Sequence, residues 1–264
     1  MTYRSGRRLA IGVPRGASRP SPLFLCILAV FVITAWTTWS GYGSVRLNVF
    51  LFVVAGWLLS LCLHEFAHAL TAYRSGDASV AQKGYLSLNP LKYTHWLLSL
   101  ALPLFFLIVG GIGLPGGAVW IDRTWIRGRL KDSLISLAGP ATNMLFTAVL
   151  VLPFAFGVNT FAHPDFWSAW AFLAFLQLMA SLLNLVPIPG VDGGNALRPW
   201  LSHDWRRGFD AVAPYGMLLF LALLWQPRIN AIFFDVVDGL ANLIGLPLDF
   251  ADFGRSLFMF WQSW

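Results

Sequence analysis

Residues 47–73 read LNVFLFVVAGWLLSLCLHEFAHALTAY, an apolar run long enough to cross a lipid bilayer that nevertheless contains two histidines and a glutamate. Further apolar runs occur at 22–39, 95–113, 133–157, 166–186 and 209–226. Only 11% of the 264 residues are charged, whereas a soluble domain carries about a quarter. This composition excludes a water-soluble globule and a disordered chain. It predicts an all-α polytopic membrane protein with about five to six transmembrane helices.

The chain outside these runs suggests how the molecule is organised. Residues 1–21 carry five arginines and no acidic residue, which predicts a flexible basic tail in the cytoplasm. This tail has neither aromatic interleaving nor a folded platform, so we expect no nucleic-acid partner. Residues 22–46 are expected to form the first transmembrane helix and a loop. Residues 201–264 predict a C-terminal transmembrane helix and, at 229–247, an amphipathic helix in the membrane interface.

Two stretches interrupt the helical pattern. Residues 84–90, GYLSLNP, alternate in polarity and end in Asn-Pro, which predicts a strand of a short membrane-associated β-hairpin. Residues 110–117, GGIGLPGG, cannot continue a regular helix. We therefore expect 95–117 to be re-entrant, leaving the membrane on the side where it entered. The alternative is an ordinary membrane span over 95–113.

His64, Glu65 and His68 form the pattern HExxH inside the second apolar run. Residues four apart lie on one helical face, about 6 Å apart along the axis. Two such imidazoles can share one tetrahedral zinc ion, with the intervening glutamate as general base. Two core histidines bonded to carbonyl groups would be the structural alternative. Ionisable groups in an apolar membrane helix are costly, however, and usually mark a functional site, so we favour a catalytic zinc centre.

A catalytic zinc ion takes three protein ligands and leaves a fourth position for water. Thr71 and Arg74 stand where one protease class has a glycine and a third histidine, and Glu65 is the only glutamate of the chain. The candidates are therefore an aspartate or another histidine. Asp192 follows a long apolar segment, in a stretch whose prolines break the helix and whose glycines allow close backbone approach. We favour Asp192, with an ordinary surface turn as the alternative.

The order of the motifs resembles the site-2 protease family of intramembrane zinc metalloproteases. HExxH is followed by AGPATN at 138–143 and by Asn-x-x-Pro-x-Pro-x-x-Asp-Gly-Gly at 184–194, and the match runs over 47–200. Residues 86–90 are similar to the family's strand motif. The family often has a histidine soon after Asn-Pro, and His95 lies two residues later than usual, which leaves its role open. The resemblance implies these roles: Glu65 as catalytic base; His64, His68 and Asp192 as ligands of one Zn²⁺; Asn89, Asn143 and Asn184 as substrate-binding residues.

The resemblance further implies an activity, and the arginines of the N-terminal segment indicate an orientation. We expect hydrolysis of peptide bonds within or near transmembrane segments of membrane-protein substrates, with 47–200 as the intramembrane metalloprotease core. The expected setting is the lipid bilayer of a bacterial cell membrane, with the N-terminus and the active site toward the cytoplasm. An inactive pseudoprotease that binds membrane proteins is disfavoured by the intact HExxH pattern. A metal transporter is disfavoured because intramembrane carboxylates are scarce.

Overall fold

The computed structural model describes residues 19–92, 101–110 and 119–263. No strand occurs within these ranges, so the predicted all-helical class is confirmed for the part described. The α-helices are α1 (Pro22–Ser40), α2 (Val45–Ser75), α3 (Ser79–Gln82), α4 (Leu102–Gly110), α5 (Arg129–Ala155), α6 (Pro164–Leu185), α7 (Asp192–Leu197), α8 (His203–Val212), α9 (Gly216–Trp225), α10 (Pro227–Leu243) and α11 (Leu248–Phe258).

Five helical segments of the described chain are long and apolar enough to cross a membrane, in agreement with the expected five to six. Four of them are single helices, and the fifth joins α8 and α9 through a short 3₁₀ turn. The candidate spans are Pro22–Ser40, Val45–Ser75, Arg129–Ala155, Pro164–Leu185 and His203–Trp225.

Local sequence explains where the first long helices begin and end. The Ser21 hydroxyl accepts a hydrogen bond from the backbone N–H of Phe24, and Pro22 occupies the first helical position, where its missing N–H costs nothing. Gly41 ends α1 in the left-handed conformation (φ 69°), which glycine adopts without a steric penalty. Gly76, with φ 126°, ends α2 two residues after Arg74.

Helices α2 and α6 form the centre of the molecule. Helix α6 is the most buried of the candidate spans and α2 the next. Helix α2 packs against α1, α5, α6 and α11, while α5 also packs against α6. Fully buried aromatic and aliphatic side chains fill the space between these helices, among them Phe52, Phe172, Leu176 and Leu183. A long apolar α2 held on several sides is therefore the support for the HExxH turn.

Helix α11 is a core element that sequence analysis did not predict. It packs against α6 and α2, and Phe258 is fully buried and stacks on Phe50 with ring centroids 5.3 Å apart. A Cβ atom at Gly254 would lie 2.0 Å from the Ser168 carbonyl oxygen, so only glycine permits this approach to α6. Because α11 has only eleven residues, including Asp249, Asp252 and Arg255, no hydropathy pattern marks it as part of the core.

The predicted β-hairpin at 84–90 is wrong. Tyr85–Ser87 forms one turn of 3₁₀ helix, and the flanking Gly84 (φ 76°) and Leu88 (φ 55°) are left-handed. Left-handed residues reverse the chain and cannot belong to an extended strand. Tyr85 and Leu86 are both buried and pack with residues of α2. The alternating polarity therefore reflects a tight turn that inserts apolar side chains into the core.

The described residues do not support the predicted re-entrant path of 95–117. Residues 93–100, with His95, and residues 111–118 lie outside the described ranges. Between them α4 has nine residues, which span about 14 Å. This is about half the thickness of the hydrocarbon core of a bilayer. The helix alone therefore does not distinguish a re-entrant segment from a crossing.

Candidate metal centre

Three nitrogen and oxygen atoms from two helices converge at one point. His64 and His68 project from α2 with their Nε2 atoms 3.0 Å apart. Asp192, the first residue of α7, places Oδ2 at 3.2 Å from His64 Nε2 and 3.3 Å from His68 Nε2. Both imidazoles are buried, whereas the Asp192 side chain is 19% exposed. The structure thus brings Asp192 together with the two histidines.

The spacing of these atoms fits a single tetrahedral zinc ion. Zinc–nitrogen and zinc–oxygen bonds of about 2.0–2.1 Å separate two ligand atoms of a tetrahedron by about 3.3 Å. The three observed separations are 3.0, 3.2 and 3.3 Å. Two neutral imidazoles and one carboxylate also form a ligand set that suits zinc. The residues present therefore fit the metal that the HExxH pattern predicts.

A backbone carbonyl group of α5 determines the proton position on His68. The Nδ1 atom of His68 lies 2.6 Å from the carbonyl oxygen of Ile135. Since a carbonyl oxygen can only accept, Nδ1 carries the proton and donates it. Nε2 then presents its lone pair toward Asp192 and His64, which is the tautomer that a metal ligand requires.

Glu65 lies beside this cluster and is 2% exposed. Its Oε1 atom is 3.9 Å from His64 Nε2, and its Oε2 atom accepts a hydrogen bond of 3.1 Å from the Val119 backbone N–H. The carboxylate is thus held next to the three candidate ligands by a fixed donor. A group in this position can take a proton from a molecule bound at the open metal position.

Backbone packing after α6 determines the position of Asp192. A Cβ atom at Gly193 would lie 2.2 Å from the Leu185 carbonyl oxygen, and one at Gly194 would lie 1.9 Å from the Ile188 carbonyl oxygen. Such contacts are too short for any other residue. The two glycines after Asp192 are therefore needed so that the chain can fold back onto the end of α6.

Gly139 brings α5 directly against the two histidines. A Cβ atom at this position would lie 2.2 Å from His68 Nε2 and 2.4 Å from His64 Nε2. Gly139 belongs to the AGPATN stretch, and the sequence alone indicated no role for it. The absence of a side chain here leaves room for the Nε2 atoms of the two histidines.

The three predicted substrate-binding asparagines have different surroundings. Asn143 lies one helical turn after Gly139, is buried, and its Oδ1 atom has no hydrogen-bond partner within the described ranges. Asn184 is buried and its Nδ2 donates to the Ala180 carbonyl oxygen at 2.9 Å. The Asn89 Oδ1 accepts from the Leu91 N–H at 3.0 Å, so this side chain stabilises its own turn. Of the three, Asn143 is the one whose buried side-chain oxygen is unpartnered in the described chain.

Residues 119–122 form hydrogen bonds to the C-terminal half of α2 and to the turn after it. The sequence did not predict these contacts. Besides the contact of Val119 with Glu65, the Asp122 N–H donates to Oδ2 of Asp77 at 2.8 Å. Asp77 is fully buried and its Oδ1 accepts from the Ser79 N–H. The Lys83 ammonium lies 3.6 Å from the Trp120 ring centroid, as in a cation–π contact. These partners are distant in sequence, so no local pattern predicts them.

Comparison with known proteins gives clear relatives. Rip2 of Mycolicibacterium smegmatis, named a zinc metalloprotease, is 45% identical over 254 residues, which cover 95% of this chain and 97% of that protein. Rip2 of Mycobacterium tuberculosis is 43% identical with the same coverage. YwhC of Bacillus subtilis, also named a zinc metalloprotease, is 29% identical over 69% of this chain and 83% of its own length. No family model and no solved structure matches the chain.

Proposed function

Because the chain belongs to the family of the zinc metalloproteases named Rip2, we propose that it is an intramembrane protease of the site-2 type. It hydrolyses peptide bonds within or near the transmembrane segments of other membrane proteins. The observation that carries this proposal is the convergence of His64, His68 and Asp192 on one point, with Glu65 beside them, inside a bundle of membrane-length helices.

In the proposed mechanism one zinc ion would be held by His64 Nε2, His68 Nε2 and Asp192 Oδ2. Zinc, when bound there, acts as a Lewis acid that polarises the scissile carbonyl group and lowers the pKa of bound water toward about 7. As the oxygen of the attacking water bonds to the carbonyl carbon, Glu65 accepts one proton from that water. As the carbon–nitrogen bond breaks, Glu65 delivers that proton to the leaving nitrogen.

The buried surroundings of Glu65 support its role as the base. The Val119 N–H holds one carboxylate oxygen, which leaves the other free to face the cluster of ligands. Because the side chain is 2% exposed, bulk water has little access to it. A carboxylate held in a fixed orientation needs little reorganisation when it accepts the proton.

A substrate helix must unwind before its peptide bonds become accessible, and its exposed N–H groups then need acceptors. We propose that Asn143 Oδ1 is one such acceptor, since it is buried, unpartnered within the described chain and one turn from Gly139. Asn184 and Asn89 have less support as substrate contacts, because their side chains already bond to backbone groups nearby.

The arrangement of the helices supports a cytoplasmic position for the site. The contact between His68 and Ile135 places the C-terminal end of α2 and the N-terminal end of α5 at one end of the bundle. Arg74, Arg129 and Lys131 lie at that end, and basic residues are retained in the cytoplasm. We propose a bacterial cell membrane location with the N-terminal tail 1–21 and the site facing inward. Residues 47–200 then form the protease core.

The proposal is tested by purifying the protein in detergent and measuring bound zinc together with cleavage of a model transmembrane substrate. Glu65→Gln should keep zinc and lose cleavage, because it removes only the base. Asp192→Asn should lose both. Asp204→Asn, at an aspartate whose side chain is 93% exposed, is the matched control and should change neither. Equal cleavage by the wild type and Glu65→Gln would overturn the proposal.

A further inference from the structure

The two histidines of the HExxH turn differ in how their second ring nitrogen is satisfied. His68 Nδ1 donates to the Ile135 carbonyl oxygen at 2.6 Å. His64 Nδ1 is buried and has no hydrogen-bond partner within the described ranges. A metal-binding histidine almost always donates its other N–H to an acceptor, which fixes the tautomer and the ring orientation. His64 therefore requires an acceptor that the ligand cluster itself does not supply.

A buried glutamine on α6 has an acceptor atom without a hydrogen-bond partner in the described chain. Gln177 is 1% exposed, and its Nε2 lies 2.8 Å from the Ser60 hydroxyl oxygen. That hydroxyl donates its only proton to the Trp57 carbonyl oxygen at 2.8 Å. The Ser60 oxygen must therefore accept from Gln177, which fixes the orientation of the carboxamide. The remaining atom, Gln177 Oε1, is a buried acceptor without a partner in the described chain.

The donor and the acceptor belong to the same contact between α2 and α6. Ser60 and His64 are four residues apart and share one face of α2, and the Ser60–Gln177 hydrogen bond joins that face to α6. Neighbouring donors on α6 are already used. The Ser181 hydroxyl donates to the Gln177 carbonyl oxygen at 2.8 Å, and Asn184 Nδ2 donates to Ala180. His64 Nδ1 is a buried, unpartnered nitrogen on the α2 side of this contact.

We propose that Gln177 is a positioning residue for His64, whose Nδ1–H is hydrogen-bonded to Gln177 Oε1 through one bridging water molecule, since neither atom has a direct partner in the described chain. This inference rests on the proposed function, since it concerns His64 as a zinc ligand. It also explains why a glutamine is buried in the middle of a membrane-length helix, where an unsatisfied polar group is costly. Gln177 would then fix the tautomer and ring orientation of His64, as the Ile135 carbonyl group does for His68.

The test measures zinc affinity by competition with a chelator, and the absorption spectrum of the cobalt-substituted protein, in detergent. Gln177→Met keeps the approximate volume and removes the acceptor. It should bind zinc 10–100-fold more weakly, the usual effect of losing such a partner. Gln177→Glu keeps an acceptor oxygen and should restore affinity to within a few fold of wild type. Ser181→Ala, one turn away on the same helix, is the control and should leave affinity and spectrum unchanged.

Zinc affinity of Gln177→Met within twofold of wild type would overturn the inference, as would a loss that Gln177→Glu does not restore. If Gln177→Met does not fold, Ser60→Ala decides. Ser60→Ala removes the hydrogen bond that orients the Gln177 carboxamide but keeps the carboxamide itself. We therefore expect weaker zinc binding than in wild type, and unchanged binding would contradict the inference. Failure of the proposed function is distinguishable, because the wild-type protein would then bind no zinc or cleave no transmembrane substrate.

Discussion

The candidate metal centre joins two regions that reach the same point by different means. His64 and His68 stand one turn apart on the regular helix α2, so helical periodicity alone places both imidazoles on one face. Asp192 follows an irregular stretch in which Gly193 and Gly194 lie against backbone carbonyl groups. The helical pair is therefore determined locally. The position of the carboxylate depends on how the chain folds back onto α6.

This difference predicts what zinc contributes to stability. With the proposed ligand set, zinc joins the loop of Asp192 to α2 and stabilises the folded protein by about 4 kcal/mol when its concentration is 1,000 times Kd. We expect chelation to lower the thermal midpoint of the wild type and of Glu65→Gln by similar amounts.

Asp192→Asn should show little response to chelation, because it has already lost the proposed ligand that joins the two regions. The measurement is thermal unfolding in detergent with and without a zinc chelator. A chelation response in Asp192→Asn as large as in wild type would show that the helical pair binds zinc without the loop.

A substitution in the irregular stretch that carries Asp192 should have the next largest effect, a loss of cleavage and of zinc. In Gly194→Ala the new Cβ atom meets the Ile188 carbonyl oxygen at 1.9 Å, and a backbone atom cannot rotate away. The chain must shift and move Asp192, and a misplacement of about 1 Å costs roughly 100-fold in rate. Cleavage should fall by about that factor, with loss of zinc. Gly208→Ala, which meets nothing within 4 Å, is the control for an added methyl group and should cleave at the wild-type rate.

A smaller loss of zinc affinity is expected from a substitution beside the helical pair His64 and His68. In Gly139→Ala the obstacles are the imidazole rings of His64 and His68, which can shift because they are the ends of side chains. We expect zinc affinity to fall roughly 10-fold, at the lower end of the range for disturbed ligand orientation. Zinc competition in detergent measures this effect. A loss greater than that of Gly194→Ala would reverse the proposed ranking of the two regions.

The same distinction explains how much could be predicted from sequence. The long apolar helices and the pair His64–His68 follow from hydropathy and spacing, which are local properties. Asp192 could be proposed only because a third ligand was needed and the prolines and glycines of 184–194 suggested a break. Helix α11 and the contacts of Asp77 depend on packing between distant segments, so no local signal marked them. At 84–90 the alternating polarity predicted a strand, which is wrong. The buried apolar residues of a turn can produce the same pattern.

The smallest effect concerns the base rather than the metal. The Val119 N–H donates to Glu65 Oε2 at 3.1 Å, and Val119→Pro removes that N–H while leaving all three ligands untouched. We expect kcat to fall roughly 10-fold, as for loss of one orienting hydrogen bond, with zinc content unchanged. Val119→Ala keeps the N–H and should retain kcat within about twofold. If Val119→Pro lost zinc, or if Val119→Ala lost as much activity, segment 119–122 would serve to pack α2 rather than to orient Glu65. A selective loss of rate would instead show that this irregular segment positions the base, as the loop after α6 positions Asp192.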